Sequence, residues 1–435
     1  MSRVFPRVLD RMLPTAVRAE GVWITDAHGK RYLDAAGGAV VVNVGHGDRE
    51  VIRAMTEQAG RLAYVHGTAF TTEALESYAA ELSPLLPLEE PRVYPVSGGS
   101  EAVETAFKLA RAYHIARSDP RRHVIVARWG SYHGNTRGAL DASGREPLRM
   151  PYEPWLGRSV HVPPVYEYRC KLGEHPDRCG VMHAETLDRV IQEIGPERVA
   201  AFVAEPVGGA TLGAAVPPDD YWPAVSDVCR RHGVLLIADE VMTGFGRTGR
   251  WFGLDHWETR PDILVAGKGA SSGYWPLGLC IASGEVFEAV RGSGFVHGFT
   301  ASHHAVGAAV GRAVLRRLQE GDLVEASRVK GELLLKELTT ALADSPHVGD
   351  VRGLGLMIGV ELVRDRESKE PFPREHGFAE RVLARAQESG LLLYSSTGCA
   401  DGMNGDVLML GPPFVISDEE IGDVVRLTAE AIAAA

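Results

Sequence analysis

The sequence predicts an α/β protein with a mostly parallel central sheet in a large domain and a smaller α+β domain drawn from both termini. Three observations carry this. Short apolar runs rich in Val, Ile and Leu, at residues 124–127, 199–204, 234–238 and 263–266, alternate with helical stretches, the pattern of parallel strands buried on both faces. The texture changes after about residue 322, where one long Glu-, Leu- and Lys-rich helical stretch gives way to shorter apolar runs. A chain of 435 residues also exceeds the length at which one hydrophobic core keeps growing, so two lobes around a cleft are expected.

In chain order, the first element is a small hairpin: Gly21-Val22-Trp23-Ile24-Thr25, a turn at Asp26-Ala27-His28-Gly29, then Arg31-Tyr32-Leu33-Asp34. Helix alternating with short strands fills the chain from about residue 50. A helix over roughly 323–343, strands at 354–362, 391–394 and 407–410, and a closing helix near 418–434 complete the tail. The expected division is residues 1–55 as the N-terminal part of the small domain, 56–322 as the large domain and 323–435 as the C-terminal part of the small domain. No repeat with a period of 20–50 residues and no low-complexity linker interrupts this plan.

Composition narrows the function. Apolar residues make up 45% and charged residues 24%, as in an ordinary soluble globular chain. A formal charge of −11 speaks against a nucleic-acid partner, because phosphate backbones are bound by positive surfaces. Arg3, Arg7, Asp10, Arg11 and Arg18 break up the first thirty residues, so no signal-peptide core or membrane span is expected there. Five cysteines, odd and sparse, do not make a disulfide framework, and a cytoplasmic location is the expectation.

The most informative segment is Val234-Leu235-Leu236-Ile237-Ala238-Asp239-Glu240. An apolar strand ending in Asp239 delivers a carboxylate to the crevice where open α/β sheets bind ligands. Burying that charge is costly unless a cation pairs with it. A protonated pyridine nitrogen is such a cation, and the pair keeps the ring electron-poor enough to stabilise a carbanion; the alternative is that Asp239 caps a loop. Asp262-Ile263-Leu264-Val265-Ala266-Gly267-Lys268-Gly269 repeats the layout with a lysine between two glycines. Such a lysine forms an imine with an aldehyde, and desolvation lowers its pKa so that it later acts as a base; a plain loop cation is the other reading. Third, Ser97-Gly98-Gly99-Ser100-Glu101-Ala102 opens a helix with apolar Val103, Ala106, Phe107 and Ala110 at i, i+3, i+4 and i+7. Free N–H groups at a helix start bind phosphate, which makes Gly99 and Ser100 the cup candidates, whether or not a serine also acts as an N-cap.

Other patterns are set aside. Gly244-Phe245-Gly246-Arg247-Thr248-Gly249 matches G-x-G-x-x-G but leads into Arg250-Trp251-Phe252-Gly253 rather than a helix, so no dinucleotide site is expected. Gly267-Lys268 is no phosphate-binding ATPase loop, since Asp262 stands where that motif needs Gly and Gly269 where it needs Ser or Thr. Cys170, His175, Cys179 and His183 form a C-x4-H-x3-C-x3-H string that matches no established zinc spacing and sits among charged loop residues, so no metal site is expected. His303-His304 reads as loop packing.

Taken together, the residues resemble the class III, or omega-type, aminotransferases that depend on pyridoxal 5'-phosphate (PLP), over nearly the whole chain. The resemblance runs from Gly21-Val22-Trp23-Ile24-Thr25-Asp26 and Tyr32-Leu33-Asp34 through Gly45-His46, residues 97–108, Tyr132-His133-Gly134 and Glu205-Pro206. It continues over residues 239–249, Lys268, Pro276-Leu277-Gly278, His297-Gly298-Phe299-Thr300, Arg352-Gly353-Leu354-Gly355 and Pro412-Pro413. It implies the PLP-dependent transferase fold type I and an enzyme that moves an amino group from an amine or omega-amino acid to a keto acid or aldehyde by a ping-pong mechanism. Lys268 would carry the cofactor and move the proton, and Asp239 would face the pyridine nitrogen. Tyr132 would stack on one face of the ring, with His133 in the same motif, and Val241 would pack on the other. Gly99 and Ser100 would hold the phosphate, and Glu205 would sit beside the cofactor. Phe299 and Thr300 would reach the phosphate of a neighbouring subunit, so a homodimer is implied as the minimum unit, with pairing into a tetramer open.

Two departures bear on this. Where many relatives read Thr-Tyr-Ser-Gly-His-Pro, this chain reads Thr300-Ala301-Ser302-His303-His304-Ala305. Many relatives grip the acceptor carboxylate with an arginine shortly before the Pro-Pro pair, and Gln387 to Ser417 contain none here. Phe5, Trp23, Val40, Val41 and Trp155 are candidates for lining a substrate pocket. The competing readings are a PLP-dependent racemase, aminomutase or decarboxylase on the same scaffold, which fold cannot separate, and a non-catalytic binding protein, against which the presence of both Lys268 and Asp239 counts.

Overall fold

Strands that are apolar at every position must be covered on both faces, and the structure covers them. In the computed structural model, which describes residues 3–9, 12–173 and 178–435, the N-terminal strands are β1 (Ala16–Glu20), β2 (Trp23–Asp26) and β3 (Arg31–Asp34). The central sheet contains β4 (Arg92–Val96), β5 (Val124–Arg128), β6 (Val160–Val162), β7 (Val199–Ala204), β8 (Leu235–Asp239), β9 (Ile263–Ala266) and β10 (Gly278–Ala282). Its order is β4-β10-β9-β8-β7-β5-β6. The pairs from β9 to β6 are parallel, and β10 alone runs against its neighbours β4 and β9. Every residue of β7, β8, β9 and β10 is buried, each large aliphatic side chain contributing roughly 1.5–3 kcal/mol.

The two-residue period of a strand decides which face each side chain joins. Leu235 and Ile237 of β8, with Ile263 and Val265 of β9, pack on the helix Gly99–Ala116 through Ala102, Val103, Ala106 and Ala110. Leu236, Ala238, Leu264 and Ala266 face the opposite core, which contains Leu187 and Ile191 of the helix Cys179–Ile194 and Val225 of the helix Tyr221–His232. Asp239 shares the parity of Leu235 and Ile237. It therefore points to the side where the helix Gly99–Ala116 begins.

The tail contributes β11 (Val348–Leu354), β12 (Met357–Leu362), β13 (Leu391–Leu392), β14 (Tyr394–Thr397) and β15 (Asp406–Leu410). An antiparallel sheet runs β11-β12-β15-β14, and β13 joins the N-terminal strands in the order β1-β2-β3-β13, parallel to β3. The helices Leu323–Ala341 and Asp418–Ala433 pack together. The latter begins at a capping box of Ser417 and Glu420, and Trp23 Nε1 donates to Glu420 Oε1 at 2.7 Å, tying the N-terminal hairpin to the tail.

Two expectations are corrected. The run 354–362 is not a single strand: β11 and β12 form a hairpin with Leu354 opposite Met357 and Gly355-Leu356 as its two-residue loop. Gly355 at φ +54 supplies the left-handed turn conformation. The run 391–394 likewise divides between β13 and β14, and β1, β4, β6 and β10 were not anticipated as strands.

Candidate active site

Five segments leave the central sheet at one edge. Both β4 and β9 run antiparallel to β10, so β4 shares the direction of the parallel strands. Residues 97–100 follow β4, Tyr132 and His133 follow β5, Glu205 follows β7, Asp239 ends β8, and Lys268 lies just past β9. These carboxyl ends enclose a cavity of ≈ 430 Å³, lined by all of these residues together with Val41, Val241, Met242, Ser271, Trp275 and Leu277.

Asp239 is 3% exposed. Its Oδ2 lies 2.6 Å from His133 Nδ1, and its Oδ1 accepts the Val241 N–H at 3.1 Å. An ionised carboxylate only accepts, so Nδ1 carries the proton in this pair. The His133 backbone N–H donates to Ser143 Oγ at 2.8 Å, which fixes the ring's position. Two donors leave capacity on Asp239 for a further cationic donor. The neighbouring Glu240 has the opposite parity and holds a loop in place. Its carboxylate accepts the N–H groups of Gly253 and Leu254 at 2.8 and 2.9 Å and the Thr243 hydroxyl. Burial raises its pKa to about 7.

Lys268 has φ +41, a left-handed conformation unusual for a side chain of this size and found where surrounding structure holds strain. Its amine makes no hydrogen bond among the described residues. Burial lowers its pKa to about 8, against the opposing attraction of the Asp239 and Glu205 carboxylates, with Arg247 adding to the depression. Glu205 is itself raised, first by burial, while His133 and Arg128 offset part of that rise.

The helix Gly99–Ala116 begins at an extended Gly98 with no side-chain cap, so its first N–H groups are free of side-chain partners. Ser100 Oγ accepts the Asn135 N–H at 3.2 Å, and Asn135 Nδ2 donates to the Tyr132 hydroxyl at 3.2 Å. The cup and the aromatic ring are thus tied through one residue. A Cβ on Gly99 would lie 3.0 and 3.2 Å from the Val241 methyl carbons, so glycine lets the helix start close against Val241.

Eight of the expected site residues, Gly99, Ser100, Tyr132, His133, Glu205, Asp239, Val241 and Lys268, meet at this cavity. Phe299 and Thr300 do not line it within the chain: Phe299 is half-buried beside His297 and Thr300 is exposed. Of the five pocket candidates only Val41 lines it. Phe5 and Trp155 are exposed, Trp23 is held by Glu420 and Arg31, and Val40 packs against Gly411. Sequence reasoning missed Asn135, whose signal was its place directly after Tyr132-His133-Gly134, and Trp275, which precedes Pro276-Leu277-Gly278. The G-x-G-x-x-G segment is a loop around buried Arg247, which donates to Val42 O, Asn43 Oδ1, Leu356 O and Pro412 O. His303 and His304 pack edge-on or tilted against Tyr94, Tyr64 and Trp275. Cys170, Cys179 and His183 of the C-x4-H-x3-C-x3-H string come together, while His175 lies outside the described residues.

Buried Asp239, Lys268 with its lowered pKa and the uncapped helix start at Gly99 thus meet at one sheet edge. The class-III aminotransferase family model matches residues 4–432, and the chain belongs to that family. An uncharacterized aminotransferase of Bacillus subtilis is 38% identical over 98% of this chain and 96% of its own. A thermostable (S)-enantioselective omega-transaminase from Thermomicrobium roseum superposes with a TM-score of 0.93 at 37% identity, covering 100% of this chain and 96% of that one. An amine transaminase from an uncultivated Pseudomonas species, solved in its PLP-bound form, superposes at 0.92 with 33% identity, covering 100% and 97%. The chain is thus an aminotransferase with the fold type I architecture of PLP-dependent transferases, and aminotransferases of this class use PLP. No helix among the described residues is long and apolar enough to cross a membrane.

Proposed function

We propose that this chain is an omega-type aminotransferase that takes an amino group from an amine or omega-amino acid and passes it to a keto acid or aldehyde by a ping-pong mechanism. The observation that carries this reading is Lys268: an amine free of hydrogen bonds among the described residues, with a pKa near 8, at the strand edge that also presents buried Asp239.

The residues present fit PLP. Asp239 has capacity for a cationic donor, the helix start at Gly99 and Ser100 offers free N–H groups to a phosphate, and Tyr132 and Val241 supply an aromatic and an apolar surface in one cavity. When bound, the cofactor supplies an electron-poor ring that stabilises negative charge on the donor's nitrogen-bearing carbon. His133 orients the Asp239 carboxylate through the 2.6 Å contact. Lys268 Nζ, partly neutral near pH 8, removes the proton from that carbon. The carbonyl product leaves before the acceptor enters, which is the kinetic signature of a ping-pong reaction.

The unit that works is a homodimer in this reading. Phe299 and Thr300 lie on the segment 292–300, where Val296 is 99% exposed, and the N-terminal segment exposes Phe5 and Met12. Apolar side chains left in water on one chain are the signature of a covered surface. The test is a single half-reaction: holoenzyme mixed with a panel of amines and no acceptor. One equivalent of carbonyl product per site, without loss of carbon dioxide or inversion of the donor, supports the reading; racemised donor or released carbon dioxide replaces it with a racemase or decarboxylase.

A further inference from the structure

Away from the catalytic cavity, three soft donors converge where a loop meets a helix. Cys170 follows a 3-10 turn at Glu167–Arg169. Cys179 opens the helix Cys179–Ile194, and His183 stands one turn later on the same face. Cys170 Sγ lies 3.8 Å from Cys179 Sγ and 3.6 Å from His183 Nε2, and all three atoms lie within 4.8 Å of one another. Cys179 and His183 are 5% and 4% exposed.

The two separations from Cys170 Sγ match two edges of a metal tetrahedron, and the third lies within 4.8 Å. With Zn–S of ~2.3 Å and Zn–N of ~2.0–2.1 Å, tetrahedral angles put two sulfurs roughly 3.8 Å apart and a sulfur and a nitrogen roughly 3.6 Å apart. A disulfide needs its sulfurs at ~2.05 Å, which the pair does not meet. Two thiolates and an imidazole are the donor set that selects zinc over magnesium or calcium.

We propose that Cys170, Cys179 and His183 bind one divalent zinc ion, with an exogenous ligand such as water in the fourth position. Two Zn–S bonds and one Zn–N bond form, and the two thiol protons pass to solvent. The ion is a clip rather than a reagent. The loop it pins also carries Tyr166 and Arg169, and Arg169 Nε meets the buried Glu361 of β12 at 2.6 Å. The Tyr166 hydroxyl donates to the same carboxylate, and Arg352 Nη2 reaches it at 3.0 Å. Fixing Cys170 to the helix Cys179–Ile194 therefore fixes the connection between the central sheet's surroundings and the tail sheet.

The test uses the full-length holoenzyme. Metal analysis of protein made in zinc-supplemented medium is expected to give one zinc per chain. Cobalt(II) added after chelator treatment is expected to give a thiolate-to-cobalt charge-transfer band. Cys170→Ser and His183→Ala each lose the equivalent and the band while keeping the cofactor's absorbance. Should those variants fail to fold, wild-type protein treated with chelator serves instead, with its melting temperature falling and recovering on zinc addition. Zinc at background in the wild type, metal retained in a Cys170→Ser/Cys179→Ser variant, or a Cys170–Cys179 disulfide in the non-reduced peptide map would overturn the proposal.

Discussion

His133 Nδ1 lies 2.6 Å from Asp239 Oδ2, and both residues are only 3% exposed. The imidazole occupies one oxygen of Asp239, and the Val241 N–H donates to the other. Asp239→Asn replaces an acceptor-only group with one that also donates, so it disturbs both this contact and the charge offered to the ligand. A fall in kcat/KM of about 10²–10³-fold is expected, the scale of losing one preorganised electrostatic group. Steady-state kinetics with the best amine donor checks it, and an activity within twofold of wild type would remove Asp239 from the mechanism.

Lys268 is held near pKa 8, below its unfolded value of about 10.4. Between those values the unfolded chain binds more protons than the folded one, so stability of the cofactor-free protein rises with pH through this window. Below pH 8 the buried charge costs about 1–3 kcal/mol. Lys268→Ala removes that cost: cofactor-free variant at pH 7 is expected to melt above wild type, the difference fading by about pH 10, with turnover abolished. Thermal melts across pH read this directly.

Gly99 and Val241 make a second testable pair, since a Cβ on Gly99 meets the Val241 methyls at 3.0 and 3.2 Å. Gly99→Ala is expected to push Val241 into the cavity and weaken PLP retention about tenfold. Combining it with Val241→Ala should recover most of the loss, a coupling of about 1 kcal/mol. Equilibrium dialysis of PLP against the single and double variants measures it; additive losses would contradict the contact.

Arg247 is fully buried and donates to backbone carbonyls of Val42, Leu356 and Pro412 and to Asn43 Oδ1, with its guanidinium 4.6 Å from the Phe414 ring. Arg247→Met orphans those acceptors and is expected to cost about 3 kcal/mol. Denaturant unfolding of the holoenzyme checks the figure.

What the sequence made legible follows from these contacts. The central strands were readable because burial on both faces leaves them apolar at every position, and the strand ends announced Asp239 and Lys268. The hairpin β11–β12 was not, because its turn consists of Gly355 and Leu356 inside an otherwise apolar run. The role of Arg247 was hidden because its partners lie at residues 42–43, 356 and 412, and no local pattern reports carbonyls gathered from such distances. The grouping of Cys170 with Cys179 and His183 depends in the same way on how a loop returns to a helix. Phe299 and Thr300, in the proposed homodimer, serve a neighbouring chain's cavity, which the packing of one chain does not display.

Lys268 is the residue proposed to carry the cofactor. Borohydride reduction of the holoenzyme, followed by peptide mapping, tests it most directly. A single cofactor-labelled lysine, Lys268, at one label per chain is the expected result; a label on another lysine, or none, would contradict it.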